Sequence, residues 1–575
     1  MKGKKLLTGL LSAAMVLGSV AVQVFADGEV TTLPTADENG VITLTENVTL
    51  EGSFDISNSI DLNEHSLTIN GITSVIKNGI IKNGTIKVAQ NASSSETMLR
   101  IGDYSNQSLE VEMTDVIIEA TEAYTAPCGL LGIYQESKLT LNNVTINVGS
   151  NDGTAVIYGN DQKADLIANN IKITAVNQNK LIYGVKDADI KDMTFKGKIN
   201  KELFSVVGGK VENSTFTYTN AENEDSRSIA SDAGLEKELT FINTKIENAP
   251  TFKKGAINNT NESSKVVADE QSTVNNNKMT GVEGVKSAVA KIGDTLYTTL
   301  EEAVKAAQDG DTVKLLCDAN GNGIAISKGL TIDFNGFSYT IDGILVGSPG
   351  SETNCFQLLA GADTANPVNI TFKNGTIISS KVAKWGPNTK NTANTTGANI
   401  IIQNYSNLTL NNMTIDGDQT NQTEGNPGAY YAQYVLSNNN GNTVLTGNTN
   451  IIAAPGKYAF DVCRYSSYPG VIVTLDDNMT GTIIGNIEIS NSDKAGNTVI
   501  PPVSNDKFNL IIKAGNIDGK ISDARTATQK AAYAKIGAIS GGTFKTDVSE
   551  FCEEGYSPKL VNGKYVVDDS AHTID

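Results

Sequence analysis

The densest gathering of reactive side chains is Tyr458-Ala-Phe-Asp461-Val-Cys-Arg464-Tyr465, with Asp476-Asp477 a short way on. Carboxyl groups held roughly 5 to 10 Å apart do general acid–base work on glycosidic bonds, and a guanidinium beside them supplies the opposite charge. Asp461, Arg464, Asp476 and Asp477 therefore predict a charged groove on neighbouring repeats, although a surface ion pair beside a tyrosine-rich loop needs the same residues. Asp318-Ala-Asn320-Gly-Asn322-Gly323 has the spacing of the first half of a calcium loop. Its twelfth position is Gly329, where a bidentate carboxylate is required, so Asp318, Asn320 and Asn322 are expected to form a polar β-turn, with no cofactor. Flat rings offer a third chemistry, the stacking of sugar rings. Trp385 is the single tryptophan, in a Lys-Trp-Gly-Pro insertion. Tyr430, Tyr431 and Tyr434 fall in a second loop, and Tyr465 and Tyr468 in a third. The same rings equally suit covering the flank of a fold that lacks large core residues.

The residue inventory excludes more than it offers. With only two histidines, His65 and His572, the inventory argues strongly against a Ser-His-Asp triad, a Cys-His dyad or a multi-histidine metal site. A net charge of −19 argues against nucleic acid, because phosphate binding needs a basic face. Cys128, Cys317, Cys355, Cys463 and Cys552 are scattered and odd in number, which predicts small buried residues rather than a disulfide framework.

Positioning falls to short β-branched segments, each broken by a turn-forming residue. The breaks come at Asp115, Asn143, Asn170, Asp192, Asn213 and Asn243, spaced by 28, 27, 22, 21 and 30 residues. Asn and Asp tolerate the left-handed backbone of a sharp corner, while Val, Ile and Thr suit pleated flanks. A period of about 20 to 30 residues predicts an all-β parallel β-helix, a solenoid in which each coil pairs with the next. A longer repeat is superimposed. Asp61-Leu-Asn-Glu-His-Ser-Leu-Thr-Ile-Asn-Gly-Ile72 aligns without gaps on Asp333-Phe-Asn-Gly-Phe-Ser-Tyr-Thr-Ile-Asp-Gly-Ile344. Lys82-Asn-Gly-Thr-Ile86 likewise recurs as Lys373-Asn-Gly-Thr-Ile377.

These repeats predict two tandem modules. Residues 1–26 read as a signal peptide, with Lys2, Lys4 and Lys5 ahead of an apolar run that ends at Val24-Phe25-Ala26. The first β-helix module is expected over 27–250, a polar linker over 251–290, and the second module over 291–545. A capping helix is placed at 299–308, where Thr299 and Glu302 fit a capping box. Residues 546–575 are read as a hairpin, turning at Asn562-Gly563, and a tail. No later run reaches the length of a membrane span.

Ala290-Lys-Ile-Gly-Asp-Thr-Leu-Tyr-Thr-Thr-Leu-Glu-Glu-Ala-Val304, Asp309-Gly-Asp-Thr-Val-Lys-Leu-Leu316 and Leu330-Thr-Ile-Asp-Phe-Asn-Gly336 resemble modules of secreted surface proteins from Gram-positive gut bacteria. Ile539-Ser-Gly-Gly-Thr-Phe-Lys-Thr-Asp-Val-Ser-Glu-Phe-Cys-Glu-Glu-Gly-Tyr556 resembles their closing segment. Such modules are similar to the pectate-lyase-like right-handed parallel β-helix. The resemblance implies a secreted or non-covalently surface-associated protein that binds glycans or surface proteins in the manner of an adhesin. Its alternative is a polysaccharide lyase or glycoside hydrolase with a groove in the second module. The Gly-His-Gly element of one hydrolase branch is absent from this sequence.

Overall fold

The structure, a computed structural model, describes residues 31–568 apart from 53, 71–72, 76–78, 89–96, 103–107, 121–127, 151–152, 220–226, 232–233, 253–254, 259–264, 389–396, 419–431, 466–467, 493–503 and 533–534. The expected signal peptide lies outside the described residues. The chain divides into two compact units, Met1–Ser287 and Ala288–Asp575, each with its own buried core.

In the first unit one coil is built from three strands, Lys138–Asn142, Thr145–Ser150 and Ala155–Gly159. The next coil repeats them as Asp165–Asn169, Lys172–Gln178 and Lys180–Tyr183, and each strand pairs in parallel with its counterpart. The first two strands of every coil join a 20-stranded sheet and the third a nine-stranded sheet. The second unit repeats this plan with sheets of 18 and seven strands. Both units are parallel β-helices.

The corners fall where the sequence places them. Asp115, Asn143, Asn170, Asp192, Asn213 and Asn243 have φ of 56°, 55°, 54°, 55°, 50° and 45°. Their side chains stitch coils together: the Asn143 amide donates to Asp115 Oδ1 at 3.1 Å, Asn170 to Asn143 at 2.7 Å and Asn243 to Asn213 at 2.9 Å. Alternation does the rest, since every second residue of a strand faces inward. Leu139, Leu166, Ala188, Gly209, Leu239 and Val266 stack in register along one inner wall.

The long repeat is also a repeat of contacts. Lys82 pairs with Asp61 at 3.2 Å, and Lys373 with Asp333 at 3.5 Å. Asn83 and Asn374, at φ 60° and 59°, donate to those same aspartates at 3.1 and 3.2 Å. Gly84 and Gly375 follow, and a Cβ at either would lie 2.5 Å from Leu62 Cβ or 2.2 Å from Phe334 Cβ. Glycine is required by that close approach.

Three expectations are corrected. The polar segment 251–290 is not a linker, because Ile257–Asn258, Val266–Ala268 and Val285–Ser287 continue the sheets of the first unit. Val266 and Ala268 join the core, and Asp269 and Ser272 are buried beside them, with the Ser272 hydroxyl donating to Asp269 Oδ1 at 2.7 Å. The helix is shorter than 299–308: α1 spans Leu300–Ala306, with Thr299 Oγ1 accepting from the Glu302 N–H at 3.1 Å. Leu300, Ala303 and Val304 are buried against the first strands of the second unit. The polar turn at Asp318–Asn322 contains instead a short strand, Ala319–Gly321, paired in parallel with Tyr339–Ile341. The C-terminal strands Lys559–Val561 and Lys564–Val567 do form the expected hairpin across Asn562 and Gly563.

Candidate functional site

The seven-stranded sheet of the second unit carries the reactive residues. Its strands include Asn354–Leu358, Ile400–Asn404, Tyr434–Asn438, Tyr458–Tyr465 and Asn486–Ser492. Phe356, Ile402, Leu436, Phe460 and Ile487 lie in register and belong to the core. The residues one step along therefore form a row on the opposite, outer face: Gln357, Gln403 and Ser437, then Asp461 and Glu488. Neighbouring strands stand about 4.8 Å apart, so the row places one polar side chain on each coil, with Gln357, Ser437 and Asp461 buried and Gln403 and Glu488 half-buried.

Hydrogen bonds tie much of this row together. Asn354 Nδ2 and Gln357 Nε2 both donate to Gln403 Oε1, at 2.8 and 3.1 Å. The Ser437 hydroxyl donates to Asp461 Oδ2 at 3.2 Å, and the Asn438 N–H donates to Oδ1 at 2.6 Å. Asp461 is 5% exposed, and its burial pushes the carboxyl up to about 8, against the pull of those two hydrogen bonds. Glu488, paired with it on the next coil, is half-buried and adds to the rise. The Tyr434 hydroxyl donates to Glu488 Oε2 at 3.0 Å, and its ring stacks on Tyr458 at 4.8 Å and 15°. Burial and the neighbouring Glu488 carboxyl raise the phenol of Tyr434, and the same two causes raise Tyr458. The result is a carboxylic acid that keeps its proton at neutral pH beside a second carboxyl held by a tyrosine. That arrangement can donate and accept protons, or bind hydroxyl groups.

Arg464 does not join Asp461. Three residues apart on a strand is opposite parity, and Arg464 shares the parity of the core residues Phe460 and Val462. Its Nη1 donates to the carbonyls of Tyr465 and Tyr468. Asp476 and Asp477 follow the Val471–Leu475 strand of the 18-stranded sheet. Asp476 Oδ1 accepts from the Asn478 N–H at 3.0 Å, and Asp477 pairs with Lys513 at 3.1 Å. The groove expected from these four residues is thus replaced by an Asp461–Glu488 pair.

The rings are largely committed to the fold. Trp385 Nε1 donates to the Gly397 carbonyl at 2.8 Å, and the ring packs on the core. One face of Tyr434 is covered by Tyr458. Tyr468 lies 5.0 Å from Tyr405 and 6.4 Å from Tyr465. Tyr430 and Tyr431 lie outside the described residues. At the candidate calcium loop, Asp318 Oδ1 accepts from the Ser338 N–H at 2.8 Å, Asn320 Nδ2 donates to Asp342, and Asn322 Nδ2 donates to Glu301 at 3.1 Å. Among the described residues no group of three or more His, Cys, Asp and Glu is placed to hold a metal ion.

Glu488, Ser437 and Asn438 were not singled out from the sequence, and Tyr458 only as the start of the run that holds Asp461. The signal available was the Asn-Ile-Glu-Ile-Ser stretch at 486–490, an alternating strand with one outward acid.

No protein-family profile matches this chain, and no curated protein does. Solved structures do: one of the PL6 family alginate lyase AlyGC, at 10% identity and a TM-score of 0.23, covering 88% of this chain and 97% of that one. An arginine-to-alanine mutant of the same enzyme matches at 9% identity and a TM-score of 0.19, covering 87% and 97%.

Proposed function

We propose that this is an exported, surface-associated β-helical protein that binds polysaccharide along the outer face of its seven-stranded sheet. The observation that carries the reading is the row of one hydrogen-bonding side chain per coil, from Gln357 through Gln403 and Ser437 to Asp461 and Glu488. A polymer of hydroxylated rings presents the matching repeat of donors and acceptors, and the tyrosines beside Glu488 add apolar contact. Export rests on the basic, apolar N-terminus.

A panel of plant, mucin and bacterial polysaccharides, presented to the full chain on an array, tests this. Binding that weakens at least about tenfold in Glu488→Gln and Tyr434→Phe, and is unchanged in Asp476→Ala, supports it. A folded wild-type chain that binds none of them overturns it. A second reading, bond cleavage, draws on the protonated Asp461 beside Glu488. New reducing ends or unsaturated products that vanish in Asp461→Asn would favour that reading, and turnover with unimpaired binding separates the two.

A further inference from the structure

The last coils of the second unit frame an open cavity of about 680 Å³. It lies on the 18-stranded sheet, at three successive corners. They join Val471–Leu475 to Thr482–Ile484, Phe508–Ile512 to Asn516–Asp518, and Ala538–Ile539 to Gly542–Phe544. Earlier corners of this unit carry Asn374 and Asn412, at φ 59° and 54°, whose side chains bond to a neighbouring coil. The later corners turn at Gly515 and Gly542, at φ 101° and 107°, and lack that side chain. The cavity occupies the space so vacated.

Its lining is mostly polar. Asp477 and Lys513, on adjacent coils, pair at 3.1 Å. Asn516 and Thr543 stand in register and face outward, because the residues after them, Ile517 and Phe544, belong to the core. Ser540 lies beside them, and the half-buried Tyr556 supplies a ring. Among the described residues no hydrogen bond engages the Asn516 side-chain amide or the Ser540 and Thr543 hydroxyls. Asp568 is a second carboxylate in the lining, against the single ammonium of Lys513.

We propose that this cavity binds a short, neutral oligosaccharide. A carboxylate that accepts beside an ammonium that donates matches two adjacent hydroxyls of a sugar ring, and the free amide and hydroxyls match others. Tyr556 offers the C–H face of a sugar a flat apolar surface. The volume falls in the range of roughly 300–1,000 Å³ usual for small-ligand sites. The surplus carboxylate repels uronic acids, which sets the ligand class. None of these residues belongs to the polar row of the seven-stranded sheet, so the site does not depend on a polymer lying there.

Calorimetric titration of the full chain with linear trimers of glucose, mannose, galactose, N-acetylglucosamine and galacturonate tests the proposal. At least one neutral trimer should bind, and the galacturonate trimer should not. Lys513→Met and Asn516→Ala should each weaken that binding at least about fivefold, and Thr543→Trp, which fills the space, should abolish it. Glu488→Gln, on the other sheet, should leave it unchanged, which keeps failure of the polymer row apart from failure here. A folded wild-type chain that binds no neutral trimer overturns the proposal. So does binding that survives all three cavity variants, that falls only in Glu488→Gln, or that is tightest for galacturonate.

Discussion

Asp461 is costly to keep. Its carboxyl is pushed up to about 8 in the folded chain, against an ordinary value near 3.8, so between those values the folded state holds a proton that the unfolded state has released. Stability should therefore be greatest below about pH 4 with respect to this group, and fall by up to about 1.4 kcal/mol per pH unit as pH rises towards 8. Asp461→Asn, which keeps an acceptor for the Asn438 N–H, should flatten that slope, read as the urea midpoint across pH 4 to 9. Burial acts similarly on thiols: Cys355 and Cys463 are pushed up to about 12, and Cys552 is raised as well. Brief alkylation of native protein should modify Cys128 and Cys317, which are half-buried, and reach the other three only in denaturant. Mass mapping after each step checks this. Asp461 was legible in the sequence, but its partner was not. Asp476 is nearer along the chain than Glu488, yet it falls at the end of a strand in the other sheet. Only the coil length, which varies, decides which residue lands opposite which.

The corner is the element whose chemistry reads most directly. Asn170 combines a φ of 54°, a side-chain bond of 2.7 Å to Asn143 and an N–H donating to the Lys191 carbonyl at 2.9 Å. Asn170→Gly should lose only the side-chain bond, about 1 kcal/mol, because glycine accepts the left-handed backbone. Asn170→Ala should cost about 1–2 kcal/mol more. Guanidinium denaturation of the two variants gives the order, and equal losses would deny the backbone argument. All six corner positions were visible in the sequence because so few residue types adopt positive φ. The strands at 257–258, 266–268 and 285–287 were hidden for the opposite reason. With two or three residues each, they leave no alternation to see, and the neighbouring coil defines them. The helix start was legible in Thr299 and Glu302, while its end at Ala306 comes where the backbone turns extended at Ala307, ψ 143°, a residue still buried in the core.

At the scale of the whole chain, the two cores are separate, and each unit closes its own sheets. Residues 288–575, with α1 at the start and the hairpin at the end, should fold alone. The expected outcome is a β-type circular dichroism spectrum and a single cooperative melt, and a spectrum without structure would show that the unit needs its neighbour. The internal duplication explains why one plan appears twice, down to the Asp61–Lys82 and Asp333–Lys373 pairs. Successive coils of the first unit run 27, 22, 21, 30 and 27 residues between Leu139 and Val266, yet the wall that joins those two residues stays in register. Each asparagine corner resets the count. For descent, this means that residues gained or lost in one loop stay a local event, so lineages of such proteins are free to rewrite their loops while the wall behind them is inherited intact.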